Sequence, residues 1–291
     1  MTLPSGESHK VTVYRAASNA ADHAQILYTD LSSATLPVLS GNDVAYVSGD
    51  DAVADLTSLP NYVNADDNTA ESLVITDLAD FVAPHAITAR SLSYTRTLRP
   101  GYNSYCLPFP VTAADFGEGA HIDVFTGTTQ SDGITYLHFA SVSGTLPAGT
   151  PCLVWIPEEV ADHEFSLADA QVTNTTVSAD SPDGTLALKG SFTLENIGAG
   201  RYKLASDGKR FGITTEKGIV APFRAYLEPL AALTSAPLSF GIAHTDAPAV
   251  GIKAPAADTT APAAIYDLSG RPVAHPVRGG IYIVSGRKVV K

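Results

Sequence analysis

The sequence predicts an all-β protein with minor helix: one or more β-sandwich-like domains with short helical turns, followed by a C-terminal β-hairpin tail. Three observations carry this. The 291 residues include 23 Gly and 19 Pro against one Met and one Trp, a turn-rich composition. Short runs of Val, Ile, Thr and Tyr recur between Gly, Pro and Asp clusters at the spacing of sandwich strands. Hydrophobic residues make up 45% and charged residues 16%, which suffices for buried cores and is unlike the composition of disordered chains.

Taken in order, residues 1–84 form an N-terminal β-rich region with extended runs at 11–15, 44–47 and 72–76. Residues 52–59 have the pattern of two helical turns. The acidic stretches Gly49-Asp50-Asp51 and Asp66-Asp67-Asn68 read as solvated turns, since neither has the Asp-x-Asp-x-Asp-Gly spacing and distal Glu of a calcium loop.

Residues 85–244 form the sandwich module. The Thr-rich run 87–98 is too long and too β-branched for a comfortable helix and is expected to cross between sheets or regions. Further strands are expected at 103–108, 121–125, 135–140, 151–156, 171–178, 185–192, 202–205, 209–214, 219–227 and 238–242. In the run from Thr135 to Ala140, Leu137 and Phe139 share one face while Tyr136 and His138 share the other, so one face suits a core and the other solvent. Thr112 can cap a single helical turn ending at Phe116. Asp207-Gly208 tolerates positive φ and suits a hairpin between 202–205 and 209–214. Residues 245–262, with three prolines, six alanines and no aromatic residue, read as a Pro/Ala/Thr linker. Residues 263–291 regain strand patterning, with Ser285-Gly286 as a tight turn between two alternating runs.

Charge narrows the function classes. The chain carries a formal −12, which argues against a nucleic-acid footprint. Arg271, Arg278, Arg287, Lys288 and Lys291 outweigh Asp267 in the terminal piece, a formal +4 that leaves −16 on residues 1–262. A solvated hairpin face accounts for this segregation, and so does a detachable address or docking element. No apolar run approaches the ~18 residues of a membrane span. The first residues lack a basic region followed by an apolar stretch, so no secretory signal is recognised in them.

Candidate chemistry is sparse, and no cofactor or metal is expected. Cys106 and Cys152 sit 46 positions apart in apolar runs. They read as buried reduced thiols, with a disulfide or a reactive thiol as the alternatives. Glu158-Glu159, Glu195 and Glu216 lie at turns and form no evident glycosidase pair. Gly-x-Ser-x-Gly and His-Glu-x-x-His do not occur, and the eight histidines are scattered. Tyr102, Tyr105 and Tyr136 are candidates for stacking on sugar rings, whereas Trp155 reads as core.

Two family patterns are recognisable. Ile265-Tyr266-Asp267-Leu268-Ser269-Gly270-Arg271-Pro272-Val273, followed by Gly279-Gly280-Ile281-Tyr282-Ile283-Val284-Ser285-Gly286-Arg287-Lys288-Val289-Val290-Lys291, resembles the short C-terminal sorting domain of Bacteroidetes secreted proteins, the type IX (Por) signal. Tyr266, Asp267, Gly270, Gly280, Tyr282, Gly286 and Lys288 carry the match, and the Pro-Asn-Pro motif of long versions is missing. Ser93-Tyr94-Thr95-Arg96, Tyr105-Cys106-Leu107-Pro108-Phe109, Ala148-Gly149-Thr150-Pro151 and Phe223-Arg224-Ala225-Tyr226 are similar to a module of large Bacteroidetes surface proteins. These residues also have structural readings: Pro108 and Pro110 end a strand, Ala148–Pro151 turn into one, and Arg224 stacks or pairs.

The resemblance implies a secreted or cell-surface, outer-membrane destination, with the tail engaging an outer-membrane translocon. It also implies an N-terminal signal peptide, so a truncated chain is expected. Asp258-Thr259-Thr260 is similar to the Bacteroidetes O-glycosylation acceptor, with Thr259 as the modified residue. The resulting expectation is a non-catalytic envelope module, adhesin-like, glycan- or protein-binding, or a spacer. The alternative is a secreted carbohydrate-active hydrolase or its accessory domain.

Overall fold

The computed structural model describes residues 9–14, 24–28, 39–48, 58–131, 134–230, 237–245, 265–266, 281–284 and 287–290. The chain divides into two compact units, Met1–Val250 and Gly251–Lys291. The described residues are nearly all β, and no helix among them is long and apolar enough to cross a membrane.

Strands β1 (His9–Tyr14), β2 (Ala24–Tyr28), β3 (Val44–Ser48), β4 (Tyr62–Asn64), β5 (Thr69–Thr76) and β6 (Ile87–Leu98) are followed by β7 (Gly101–Cys106), β8 (His121–Ser131), β9 (Ile134–Ser141), β10 (Pro151–Ile156) and β11 (Val160–Val172). Next come β12 (Ser178–Asp180), β13 (Leu186–Ser191), β14 (Glu195–Asn196), β15 (Tyr202–Leu204), β16 (Arg210–Ile213), β17 (Ile219–Val220), β18 (Arg224–Pro229) and β19 (Ser239–Thr245). One sheet has seven strands in the order β11-β6-β5-β4-β3-β1-β2, and a second has ten in the order β12-β13-β18-β15-β16-β19-β9-β8-β10-β7. Strands from 1–84 and from 85–244 therefore share a sheet: β5 pairs in parallel with β6, matching Leu73 to Leu92 and Ile75 to Tyr94. Residues on either side of position 84 therefore contribute to one sheet and to one core.

Alternation explains the two cores. Leu73, Tyr94 and Phe165 of the seven-stranded sheet pack with Ile122, Val124, Val154 and Ile156 of the ten-stranded sheet. Leu137, Phe139, Leu153, Leu188, Tyr202, Phe211 and Phe240 form a second core within the curl of the larger sheet. Leu137 and Phe139 are thus the inward pair of β9, while Tyr136 and His138 stay partly exposed. On β6 the buried positions change parity between Ala89 and Leu92, so the strand presents one face early and the other late. The larger sheet curls until its β7 edge approaches β18, where the Cys106 N–H donates to the Phe223 carbonyl at 3.1 Å. Gly190 of β13 permits that approach: a Cβ there would stand 2.1 Å from the Cys106 sulfur. Overpacking of this kind costs about 1–3 kcal/mol.

Local signals explain the turns. A 3₁₀ turn, Ala113–Phe116, begins after Thr112, whose N–H and hydroxyl both donate to the Asp115 carboxylate at 2.6 and 2.8 Å, and Phe116 anchors it in the core. The β15–β16 hairpin closes through Gly208 at φ +66, where a Cβ would also meet the Tyr102 carbonyl oxygen at 2.8 Å. Two expected strands are broken. The run 171–178 is interrupted because Thr173 N–H donates to the Pro108 carbonyl and the Asn174 amide to the carbonyls of Ala83 and Pro84. The run 219–227 divides at Phe223, whose φ is +62. Strand β11, rich in Asp, His and Glu, is not expected from its sequence over most of its length; it is an edge strand whose charged side chains face solvent.

The C-terminal unit contains β20 (Ile265–Tyr266), β21 (Ile281–Val284) and β22 (Arg287–Val290), paired antiparallel in that order. Val284 pairs with Arg287, the register of a two-residue connection at Ser285-Gly286. Of the helical turns expected at 52–59 and the linker expected at 245–262, residues 52–57 and 246–262 lie outside the described residues.

Both cysteines are free and buried. Cys106 pairs with Pro151 and Tyr105 with Cys152, so the two thiols project to opposite faces and no disulfide can join them. Burial pushes both thiol pKa values up, which suppresses the reactive thiolate. A disulfide-exchange reagent is expected to titrate neither thiol in the native protein and both in denaturant; rapid native labelling would contradict this packing.

Candidate functional site

Two of the motif segments converge on a residue outside them, and a third packs behind them. Asp77 follows β5, and the Arg224 guanidinium grips its carboxylate in a two-pronged fork, Nη1 to Oδ1 at 2.9 Å and Nη2 to Oδ2 at 2.8 Å. The Tyr94 hydroxyl donates to Oδ1 at 2.9 Å, and Arg96 Nε stands 3.8 Å from Oδ2. Tyr94 also contacts Phe109, Phe165 and Phe223 at ring-centroid distances of 5.5–5.7 Å. The Arg96 guanidinium lies over the Tyr105 ring at 3.9 Å. Burial opposes ionisation of Asp77, yet the hydrogen bonds and charge of Arg224, with the charge of Arg96, outweigh it and hold the carboxyl below its usual value.

The arginines also line a cleft of about 490 Å³ at the seam where β7 approaches β15 and β18. Arg96, Arg99, Lys203 and Arg224 supply its charge, and Tyr102, Ser104 and Ser206 border it. No Asp or Glu is among the described residues that line it. Its volume lies within the range of about 300–1,000 Å³ common for small-molecule sites.

Tyr102 joins this cleft to a second group on β8, β10 and β19. Its ring stacks on His244 at 4.6 Å and meets His121 edge-on at 5.9 Å, and His121 stacks on Trp155 at 5.4 Å. The Tyr102 hydroxyl lies 3.1 Å from His121 Nε2 and 3.3 Å from His244 Nδ1. Beneath them the fully buried Asp123 turns Oδ2 toward both imidazoles, at 3.4 and 3.2 Å, while Oδ1 accepts from the Ser141 hydroxyl. Among the described residues no group of three or more His, Cys, Asp or Glu is arranged to hold a metal ion.

The expected stacking residues part company. Tyr102 borders the cleft; Tyr136 is partly exposed, with its ring over Gly241. Tyr105 is withdrawn from the set, because its inward position on β7 leaves it 0% exposed beneath Arg96. Trp155 is not core but partly exposed against His121. Arg224 pairs rather than stacks. Glu158, Glu159 and Glu216 are exposed, and Glu195 accepts from Ser191 and Tyr226. Thr129 and His138 face each other across β8 and β9 at 2.6 Å, beside Asp183, whose carboxylate is occupied by Ser181 and Thr185. In the tail, Tyr266, Tyr282 and Lys288 lie on β20, β21 and β22, whereas Asp267, Gly270, Gly280, Gly286 and Thr259 lie outside the described residues. Sequence reading missed Asp77, His121, Asp123 and His244; His121 and Asp123, two apart on β8, share a face and were a readable pair, whereas Asp77 and His244 come from distant segments that no spacing links to their partners.

Fold and cleft together define an all-β protein of curled multi-strand sheets with a cationic, ligand-sized cleft. Comparison with protein-family models, with curated proteins and with solved structures gives no match for the chain.

Asp77→Asn is expected to destabilise the protein by about 3–5 kcal/mol, because it leaves two buried guanidiniums poorly compensated. The Asp77 pKa is depressed in the folded state, so its stabilisation is fully present above the ordinary carboxylate value and is lost as pH falls through the lowered one. Urea titrations below about pH 4 should therefore show a shallower loss of stability in Asp77→Asn than in the parent. Equal acid dependence in the two proteins would remove Asp77 from this role.

Proposed function

We propose that the chain is a non-catalytic module of a secreted or cell-surface Bacteroidetes envelope protein, and that it binds a glycan in the cleft bordered by Tyr102. One observation carries the binding reading: a ligand-sized cleft whose border combines an aromatic ring, hydroxyls and cationic donors, with no carboxylate among its described lining residues. Sugar recognition uses this combination, since ring faces take the apolar C–H side of a pyranose and polar groups take its hydroxyls. Stacking on His244 and the contacts of its hydroxyl with two imidazoles hold Tyr102 in one orientation, which lowers the entropy lost on binding. A glycan on a host or bacterial surface is the partner this reading names.

The envelope destination rests on the tail, whose residues from Ile265 to Lys291 follow the sorting-domain pattern and carry its basic charge. Three short antiparallel strands are compatible with an element recognised by a translocon.

The labelled full chain, applied to a broad array of bacterial and host glycans, is expected to bind a restricted class. Tyr102→Ala should weaken that binding at least about tenfold, the scale of one lost aromatic contact of ~1.5 kcal/mol, with near-UV circular dichroism showing an intact fold. Absence of binding across the array would overturn the glycan reading.

A further inference from the structure

We infer that the cleft selects an acidic glycan and seats a sugar carboxylate against Arg96, Arg99 and Lys203. This deepens the glycan-binding reading and rests on it. In a chain of net charge −12, four cations and no acid are among the described residues that line one cleft, and only two of the four pair with Asp77, which marks the cleft as a place where an anion is favoured.

The buried charges are also short of one acceptor. Two arginines, 8% and 18% exposed at their side chains, share the single carboxylate Asp77. The Arg224 fork and the Tyr94 hydroxyl occupy both of its oxygens. Arg96 is left with a 3.8 Å ion pair, and its Nη1 is buried without a hydrogen-bond partner. Arg96 lines the cleft beside Arg99 and Lys203, so a ligand carboxylate there adds a negative charge that the shared Asp77 does not supply. Exposed Arg99 and half-buried Lys203, whose ammonium also donates to the Ile219 carbonyl, line the same cleft, where they can draw the anion in. Tyr102, Ser104 and Ser206 around these cations favour a sugar acid over an acidic peptide, which needs no ring face or hydroxyl set.

Isothermal titration of the full chain with a panel of uronate- and sialate-containing oligosaccharides, each paired with its methyl ester, tests this. At least one acid form is expected to bind, with its ester at least about tenfold weaker, and binding should weaken as ionic strength rises past about 0.15 M. Arg99→Ala and Lys203→Ala, which spare the Asp77 network, should each weaken the acid form severalfold; Arg99→Ala should leave the unfolding midpoint in place, whereas Lys203→Ala also removes the ammonium's bond to the Ile219 carbonyl. Equal binding of acid and ester overturns the inference and leaves glycan binding standing. So does binding confined to neutral glycans. A glutamate octapeptide binding as tightly as the best acidic sugar overturns it in favour of a peptide. Failure of every glycan, acidic or neutral, overturns the glycan reading itself.

Discussion

Asp77 and Arg224 lie 147 positions apart, and their fork joins the end of β5 in one sheet to the start of β18 in the other. A strained backbone flanks each partner: Leu78 holds φ +64 and Phe223 holds φ +62, values that bulky residues rarely adopt and that cost on the order of 1–3 kcal/mol each. Asn42 stabilises the first of these turns, giving its amide to the carbonyls of Thr76 and Ala79 and accepting from the Thr76 N–H at 2.6 Å. Tyr94, Phe109, Phe165 and Phe223 exclude water from one side. A buried ion pair adds little net stability over a well-packed apolar substitute, but it penalises every arrangement that separates its partners. Its main effect here is on register: it fixes which ends of the two sheets meet.

The same pairing borders the cleft. Arg224 and Arg96, both held at Asp77, line the opening where β7 approaches β15 and β18. Structure and recognition thus share one set of side chains. The sharing is uneven: Arg224 is spent on the fork and on the Pro222 carbonyl, whereas Arg96 keeps an unsatisfied donor. Tyr102, two strands from His121 in the same sheet, carries the cleft over to the aromatic row above Asp123.

Elements governed by local physics were legible in the sequence. Strands β6 and β10, the Thr112-capped turn and the Asp207-Gly208 hairpin follow from β-branching, capping and positive φ, and each appears where those rules place it. Strand β11 was largely illegible because an edge strand needs only one apolar face, and its charged residues resemble a loop. The site was harder still. Tyr94, Arg96 and Arg224 stood out as motif residues, but Asp77 sits in an ordinary acidic turn sequence, and only the fold brings it to them. Tyr105 and Trp155 exchanged their expected environments because alternation fixes relative facing within a strand and not which face meets the core.

Asp77 and Arg224 act as a unit, and a double-mutant cycle measures that directly. Unfolding free energies of the parent, Asp77→Asn, Arg224→Met and the double variant, taken from urea titrations near neutral pH, should show a coupling of about 2 kcal/mol or more, with the double variant much less damaged than the singles sum to. Additivity within about 0.5 kcal/mol would show that the two side chains act independently and would contradict the account.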